Sequence, residues 1–313
     1  MLRLIVRRLV VAVPLLVAVS AGVFSLEAII PGNAARSILG DSATPQQYEA
    51  VRRELYLNRP LLDQYWIYIK GLAHGSLGSS LINGQSVTTI LNQRLPVTIS
   101  LVLLGTVLCA ILGISLGVFG AVRHGLLSKL LDGLAVIGLA LPTFWVGLIL
   151  VSLLAVSVSI FPATGYTAIS ASFGGWLRSL TLPVLALTLG WIASVAKQTR
   201  AAMLDVLERD FIRALLSAGI SRRRILFKHA LRAAMPPVVT ILGLFVVTAL
   251  GGTVFVETVF ALPGLGSEAV QAAGQHDLPA IEGVTIYFAI IVLIVNSAVE
   301  VAYRLLNPKV GVA

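Results

Sequence analysis

Six apolar runs, each long enough to cross a lipid bilayer as a helix, constrain this sequence more than any other feature. A helix needs about 20 predominantly apolar residues to span the hydrocarbon core. The chain of 313 residues is 57% hydrophobic and only 12% charged, whereas a soluble domain is roughly 25% charged. We therefore predict an all-α integral membrane protein. Its six transmembrane helices are expected at 9–30, 97–121, 131–158, 177–197, 235–259 and 281–303.

The basic residues indicate which ends of these helices face inward. With the N-terminus inside, the inner segments hold 16 of the 23 Lys and Arg residues, and the two short outer loops hold only Arg178. This distribution follows the positive-inside rule and predicts that both termini are cytoplasmic. Arg3, Arg7 and Arg8 precede the first run, which is too long for a signal peptide and has no obvious cleavage site. The surplus positive charge matches anionic lipid of the inner leaflet, and no helix-turn-helix or zinc spacing indicates a nucleic acid partner.

Residues 31–96 are the one large segment predicted on the outer side. Thr44-Pro45-Gln46-Gln47 combines a cap, a first-turn proline and a capping-box glutamine, so a helix is expected to start there. A second amphipathic helix is expected after Pro60, and its aromatic residues suit the headgroup level. Because so few positions are suited to a core, we expect both helices near the outer surface rather than in a separate domain. The chain then divides into 1–96, the first span with this segment, and 97–313, the transmembrane core.

Residues 200–237 form the only long charge-dense stretch. Apolar residues recur at helical spacing in its first half, and Asp205 and Arg209 stand four apart as favourable opposite charges. Gly219 suits the left-handed residue that ends a helix, and Ser221 can cap the next helix. We predict two short helices broken at Gly219 on the cytosolic surface, an elbow with an apolar stripe on a charged body. Such an elbow fits a protein partner that grips it; a solvated loop with a lipid-facing basic side is the alternative.

The sequence offers little catalytic chemistry. The four His residues are scattered without ligand spacing, the single Cys109 supports neither a disulfide framework nor a cysteine metal site, and no Gly-rich phosphate loop is present. We therefore expect no catalytic residue, no metal or cofactor site, and no ATP hydrolysis by this chain. Acidic residues in the spans are few and near the ends, at Glu27, Glu257 and Glu300. Their scarcity counts against a stand-alone ion-coupled carrier or channel and against a membrane enzyme or scaffold, which remain the alternatives to a pathway driven by another protein.

Six short motifs, taken in order, resemble those of one transporter family. They are Gly75-Ser76-Leu77-Gly78-Ser79-Ser80, Arg94-Leu95-Pro96-Val97-Thr98, Leu141-Pro142-Thr143-Phe144-Trp145, the stretch 210–219 continuing through 222–232 to Pro237, Val256-Glu257-Thr258-Val259-Phe260 with Pro263-Gly264-Leu265-Gly266, and Asn307-Pro308-Lys309. Over roughly residues 1–309 the chain is similar to the B-type permease subunit of dipeptide/oligopeptide ABC importers, a group that also includes nickel importers.

This resemblance implies an import permease of a prokaryotic cytoplasmic membrane. The chain would form half of a pathway for di- or oligopeptides, with a nickel chelate or haem as alternative substrates. Its implied partners are a second related permease subunit, two cytosolic ATPases that bind ATP and Mg, an extracytoplasmic substrate-binding protein, and membrane lipid. Closure of the ATPases would pull the elbow and swing the spans between inward and outward access.

The resemblance also implies which residues carry the function. Coupling to the ATPase is expected at Phe211, Arg213, Ala214, Leu215, Leu216, Ser217, Ala218, Gly219, Ile220, Ser221 and Arg222. Within this set Ala214 and Ser217 are small enough to enter a cleft, and Leu215 would anchor the elbow there by burial. Where the family often has basic residues before the elbow glycine, this chain has Leu216 and Ala218, so docking should be more apolar than usual. Candidates for the pathway or its outer gate are Glu257, Thr258 and Phe260.

Overall fold

The computed structural model describes residues 2–29, 34–40, 43–54, 56–122, 133, 136–138 and 140–306, with side chains from residue 12 onward except at 27, 28, 34 and 37. Within those ranges the chain is nearly all helical, and the only strand-like pairing is a single bridge between Ser79 and Ser86. The predictions that concern Arg3, Arg7, Arg8, Glu27, Arg123, Lys129 and 307–309 fall outside the described side chains.

The described helices are numbered here in chain order. They are α1 (Leu2–Ile29), α2 (Ala34–Leu39), α3 (Pro45–Glu54), α4 (Leu61–Ala73), α5 (Val87–Val122), α6 (Thr143–Ser157), α7 (Phe173–Leu207), α8 (Asp210–Ser217), α9 (Arg222–Val259), α10 (Leu265–Gln275) and α11 (Leu278–Leu306). Three of them contain a wider π-helical stretch: Cys109–Gly113 in α5, Val151–Ser157 in α6 and Ile225–Ala230 in α9.

Four of these helices, α5, α7, α9 and α11, are long and apolar enough to cross a membrane. Two more of the predicted spans correspond to shorter apolar stretches, Ala12–Leu26 within α1 and Thr143–Ser157 in α6. The long helices extend past their predicted edges, since α5 begins at Val87 rather than 97 and α9 at Arg222 rather than 235. The 35 residues of α7 are about 52 Å long at 1.5 Å per residue, against about 30 Å of hydrocarbon. Hydropathy marks the part suited to lipid, while helical hydrogen bonding continues into polar sequence.

The chain divides into two compact units, and the first consists of Met1–Thr98 and Pro263–Leu293. Its described core is a cluster of buried apolar residues from the stretch after α4, from α5, α10 and α11: Leu77, Val87, Leu91, Leu265 and Val284. Gly283 lets two backbones approach here, because a β-carbon at that position would lie 2.5 Å from Val87 Cγ1. The first unit therefore joins residues that are separated by almost two hundred positions in the sequence.

Both helices predicted in the outer segment are found in this first unit, together with the short α2. The capping box that begins α3 is confirmed: the Thr44 main-chain N–H donates to Gln47 Oε1 at 2.9 Å, and the Gln47 N–H donates to Thr44 Oγ1 at 3.3 Å. Helix α4 follows Pro60 as predicted. Its Tyr65 hydroxyl contacts α1, 3.0 Å from the Val17 carbonyl oxygen and 2.9 Å from Ser20 Oγ. Hydrogen bonds thus fasten α4 to the first helix.

The second unit, Ile99–Leu262 and Ile294–Ala313, is built around α7. This helix packs against α5, α6 and α9, and 78% of the residues in its most apolar stretch are buried, against 33–39% in the other three long helices. Helices α5 and α7 approach each other closely at Gly113 and Gly117. A β-carbon would lie 2.6 Å from Val195 Cγ1 at the first position and 2.5 Å from Thr199 Cβ at the second. These glycines let α5 pack tightly against α7.

Candidate functional sites: the α8 segment and the outer motif network

The stretch predicted as an elbow has a different helical organisation from the expected one. Its first part is not a separate short helix, because α7 continues without a break to Leu207. The chain turns at Arg209, which is extended, and the eight-residue α8 follows. The second predicted helix is the beginning of the long α9. Within this stretch, α8 is the only short helix that is separate from α7 and α9. We call residues 208–221 the α8 segment.

Gly219 ends α8 as the sequence predicted. Its φ is +75°, in the left-handed region that glycine adopts without strain. The Gly219 N–H donates to the Leu216 carbonyl at 3.0 Å, and the Ile220 N–H donates to the Leu215 carbonyl at 3.2 Å. These two bonds make a Schellman motif, which fixes the direction of the chain after the helix. Ser221 precedes α9, but its side chain makes no capping bond, which corrects the prediction; its carbonyl instead accepts the Ile225 N–H.

One side of α8 is attached to the rest of the second unit. Ile212 is its one buried residue. It belongs to a cluster, here called the inner cluster, to which α5, α7 and α9 also contribute and which Leu215 and Ile220 cover from the α8 segment. Its members are Val118, Ala121, Met203, Val206, Ile212, Ile225, Ala230 and Ala234. Leu215, expected to reach into a partner, therefore packs inward.

Two large apolar side chains close to Ile212 on α8 remain exposed. Phe211 is 41% and Leu216 46% exposed. Most of the other residues predicted for coupling are exposed too: Arg213, Ala214, Ser217, Ala218, Gly219, Ser221 and Arg222. The side of α8 away from Ile212 is polar, with Arg213 Nη1 3.4 Å from Asp210 Oδ1. Just before α8, the predicted Asp205–Arg209 pair is confirmed at 2.6 Å. A small helix with a buried apolar anchor and exposed apolar side chains next to it suits docking of another protein.

In the first unit, residues of three separate motifs meet. The Thr98 hydroxyl accepts a hydrogen bond from the Leu265 main-chain N–H at 2.8 Å, in a buried position. One turn from each of these residues, Arg94 Nε lies 2.6 Å from Glu268 Oε2. The Arg-Leu-Pro-Val-Thr motif is thereby joined to the Pro-Gly-Leu-Gly motif at the start of α10. The sequence analysis identified both motifs, but it did not predict that they are in contact.

The carboxylate of Glu268 is held in an apolar setting. Burial raises the pKa of the Glu268 carboxyl above its ordinary value, the neighbouring Arg94 guanidinium lowers it, and Asp277 raises it further. The contact with Arg94 is an ion pair and not a well-aligned hydrogen bond. Because the side chains of Arg94 and Glu268 are only 25% and 9% exposed, loss of one would leave the other poorly hydrated.

Asp277 links the third motif to the same region, and the sequence analysis missed it. It lies just after α10 and is buried. Its carboxylate accepts hydrogen bonds from the Ser80 hydroxyl and, at 3.1 Å, from the Leu81 main-chain N–H. The only sequence signal was an acidic residue isolated between α10 and a predicted span. We call this set the outer motif network: Ser80, Arg94, Thr98, Leu265, Glu268 and Asp277.

The three gate candidates do not share one surface. Glu257 and Phe260 are buried within the second unit, whereas Thr258 is exposed and its hydroxyl donates to the Val254 carbonyl at 2.8 Å. The Phe260 carbonyl accepts the Gly165 N–H at 2.9 Å, and the Phe260 ring lies where a β-carbon at Gly147 would be 3.1 Å away. Phe260 thus packs against two other parts of the unit, and the gate role stays a prediction. Among the described residues no group of three or more His, Cys, Asp or Glu could hold a metal ion.

Curated relatives resemble the chain over nearly its full length. A putative peptide transport system permease protein of Brucella abortus is 37% identical over 311 residues, 99% of each chain. The dipeptide transport system permease protein of Escherichia coli is 32% identical, and an oligopeptide transport system permease protein of Bacillus subtilis is 33% identical, with coverage of 99% and 98% of each chain.

Solved structures and family profiles agree with these relatives. A chain of the MetNI methionine ABC transporter in inward-facing conformations superposes with a TM-score of 0.56 at 19% identity, covering 70% of this chain and 97% of that one, so the likeness concerns the fold. Residues 1–102 match the N-terminal region described as "Binding-prot-dependent transport system membrane comp, N-term". Residues 111–312 match "Binding-protein-dependent transport system inner membrane component". The chain therefore belongs to the family of binding-protein-dependent transport system inner membrane components.

Proposed function

We propose that the chain is one permease subunit of an ATP-driven importer of di- or oligopeptides. Its curated relatives are described as peptide, dipeptide and oligopeptide transport permeases. The few charged residues in the long apolar helices suit a path that is indifferent to substrate side chains, and they would suit a nickel chelate or haem as well. A peptide substrate is preferred because the names of these relatives agree on it.

The proposed assembly follows from the family. A second related permease completes the pathway in a heterodimer, an extracytoplasmic protein delivers the substrate, and two cytosolic ATPases bind ATP and Mg. The permease itself is not an enzyme and needs no cofactor. It crosses the cytoplasmic membrane six times with both termini inside, as the distribution of Lys and Arg favours.

The observation that carries the proposal is that α8 combines a buried anchor with exposed apolar side chains. The exposed Phe211 and Leu216 are available to an ATPase, while Ile212 is embedded in the inner cluster. Because α7 and α9 both contribute to that cluster, displacement of α8 would move two long helices together. The Schellman motif at Gly219 would keep α8 at a fixed angle to α9 during that movement. Closure of the ATPases would then change which side of the membrane the pathway faces.

Substitution of Gly219 by Val tests this coupling. A β-carbon there meets nothing within 4 Å, so the substitution strains the backbone at φ +75° and distorts the turn without a clash. We expect the full transporter to assemble and hydrolyse ATP, but with peptide uptake at least about tenfold lower per ATP hydrolysed, in proteoliposomes.

Gly40→Val is the matched control. Gly40 has φ +71° and equally open space, but it follows α2, far along the chain from the α8 segment. Its uptake per ATP should equal that of the unsubstituted protein. Normal coupling in Gly219→Val would contradict the proposed role of α8, and transport without any ATPase would contradict the proposed function as a whole.

A further inference from the structure

The first part of α9 has a buried apolar side and an exposed basic side. Ile225 and Ala230 are buried in the inner cluster. Arg224, Lys228 and Arg232 follow one another at intervals of four residues, and all three are exposed. Residues four apart lie on the same side of a helix, so these cations form one row, here called the basic row. The coupling mechanism proposed above does not use it.

The positive charge of the basic row is not compensated by nearby acidic residues in the sequence. No Asp or Glu occurs between Asp210 and Glu257. The basic residues just before the row differ in this respect, because Arg209 pairs with Asp205 and Arg213 pairs with Asp210. Among the residues that the structure describes, no carboxylate pairs with a member of the row. The row therefore attracts a negatively charged partner.

Contacts with the end of α11 show where the basic row meets the apolar part of the second unit. Arg232 Nη2 donates to the Leu305 carbonyl in the last turn of α11 at 3.4 Å. The hydroxyls of Thr240 and Tyr303 are also hydrogen-bonded, so the two helices lie side by side here. Arg232 comes three residues before the predicted span of α9, and Leu305 two residues after that of α11. Both helices therefore leave the apolar region at the level of Arg232.

This level corresponds to the lipid headgroups. The headgroup layer is about 5–8 Å thick on each side of a bilayer. Lys228 is four residues from Arg232, about 6 Å along the helix, so both cations fall within that layer. On the adjoining side of α11, Val301 and Leu305 are one turn apart and are 40% and 70% exposed. A basic surface thus borders an exposed apolar one.

We propose that this surface binds one anionic phospholipid of the inner leaflet, with its phosphate between Lys228 and Arg232 and an acyl chain along Val301 and Leu305. An ammonium and a guanidinium both donate charge-assisted hydrogen bonds to phosphate oxygens. A lipid suits the surface better than the ATPase does, because the cations lie at the boundary of the apolar region and continue into exposed apolar side chains. The lipid-facing basic side considered in the sequence analysis then belongs to α9, and α8 stays available to a protein partner.

The full-length chain alone can test this, in nanodiscs that contain equal amounts of phosphatidylglycerol and phosphatidylcholine. Native mass spectrometry of the released protein would compare how many molecules of each lipid it retains. One cation near an anionic surface contributes a preference of about fivefold. We therefore expect phosphatidylglycerol to be retained at least about tenfold over phosphatidylcholine, and Lys228→Gln/Arg232→Gln to bring the two lipids close to parity.

Two further variants separate charge at this surface from other effects. Lys228→Arg/Arg232→Lys keeps both charges and should keep the preference for phosphatidylglycerol. Arg52→Gln/Arg53→Gln removes the same charge from α3 in the first unit and should keep the preference as well.

Equal retention of the two lipids by the unsubstituted chain, or an unchanged preference in Lys228→Gln/Arg232→Gln, would overturn the proposal. If that variant kept the lipid preference but lost affinity for the purified ATPase, the surface would belong to the ATPase instead. Because the lipid measurement needs neither an ATPase nor a substrate, its failure is distinguishable from a failure of peptide import.

Discussion

The α8 segment and the outer motif network both consist of motif residues, but they use them in opposite ways. In the outer network, polar side chains are buried and bond to one another or to the main chain, as Glu268 does with Arg94. In the α8 segment, apolar side chains such as Phe211 are exposed, and Ile212 is the one buried residue of the helix. The contrast teaches that burial, and not membership of a motif, separates residues that hold the fold from residues available to a partner.

The largest expected effect tests whether the outer network stabilises the fold, by removing the buried carboxylate of Glu268. Glu268→Ala should lower the free energy of unfolding by about 2–3 kcal/mol, since it leaves Arg94 poorly hydrated without its partner. Thermal unfolding of the purified protein in detergent would measure this loss. Glu49→Ala is the control, because Glu49 pairs with Arg52 at an exposed position and should cost little. Equal unfolding temperatures for the two variants would contradict a structural role for the buried pair.

Truncation of Phe211 in the α8 segment should instead weaken ATPase binding without lowering the stability of the protein. Phe211→Ala removes an exposed ring, so thermal unfolding should be unchanged, while affinity for the ATPase should fall about 30-fold, as for an interface hot spot of about 2 kcal/mol. Binding of purified ATPase to the permease in nanodiscs would measure it. Phe173→Ala, which removes another exposed ring at the beginning of α7, is the control and should bind normally. Destabilisation by Phe211→Ala without loss of binding would reverse our assignment.

The smallest expected effect concerns one hydrogen bond in the outer network. Thr98→Val keeps the side-chain volume but leaves the buried Leu265 N–H without an acceptor, which should cost about 1–2 kcal/mol of unfolding free energy. Comparison with Thr258→Val, at an exposed threonine whose hydroxyl bonds within its own helix, isolates the effect in the same unfolding assay. If both threonines prove equally dispensable, the link between α5 and α10 does not stabilise the unit.

Local features of the fold could be predicted from the sequence. The capping box at Thr44, the left-handed Gly219 and the Asp205–Arg209 pair each depend on residues within four positions of one another, and the structure confirms all three. The break between α7 and α8 was missed because the residues around Arg209 include neither Gly nor Pro. Local signals of this kind therefore predict a helix end only where a residue such as Gly or Pro favours one.

The outer network could not be predicted, since its contacts are distant in sequence. Ser80 and Asp277 are separated by 197 positions, and Thr98 and Leu265 by 167. Periodicity, capping and hydropathy describe neighbours along the chain and contain no information on such pairs.

Enclosure of α7 by its neighbours has a consequence for how the bilayer acts on this protein. A helix that contacts protein on most sides has little contact with acyl chains. Membrane thickness and lipid composition therefore do not change its tilt directly. Changes in the bilayer must first tilt its neighbours α5 or α9, which are less buried, and these helices then transmit the strain to α7. The helix at the centre of the second unit therefore responds to the lipid only through its neighbouring helices.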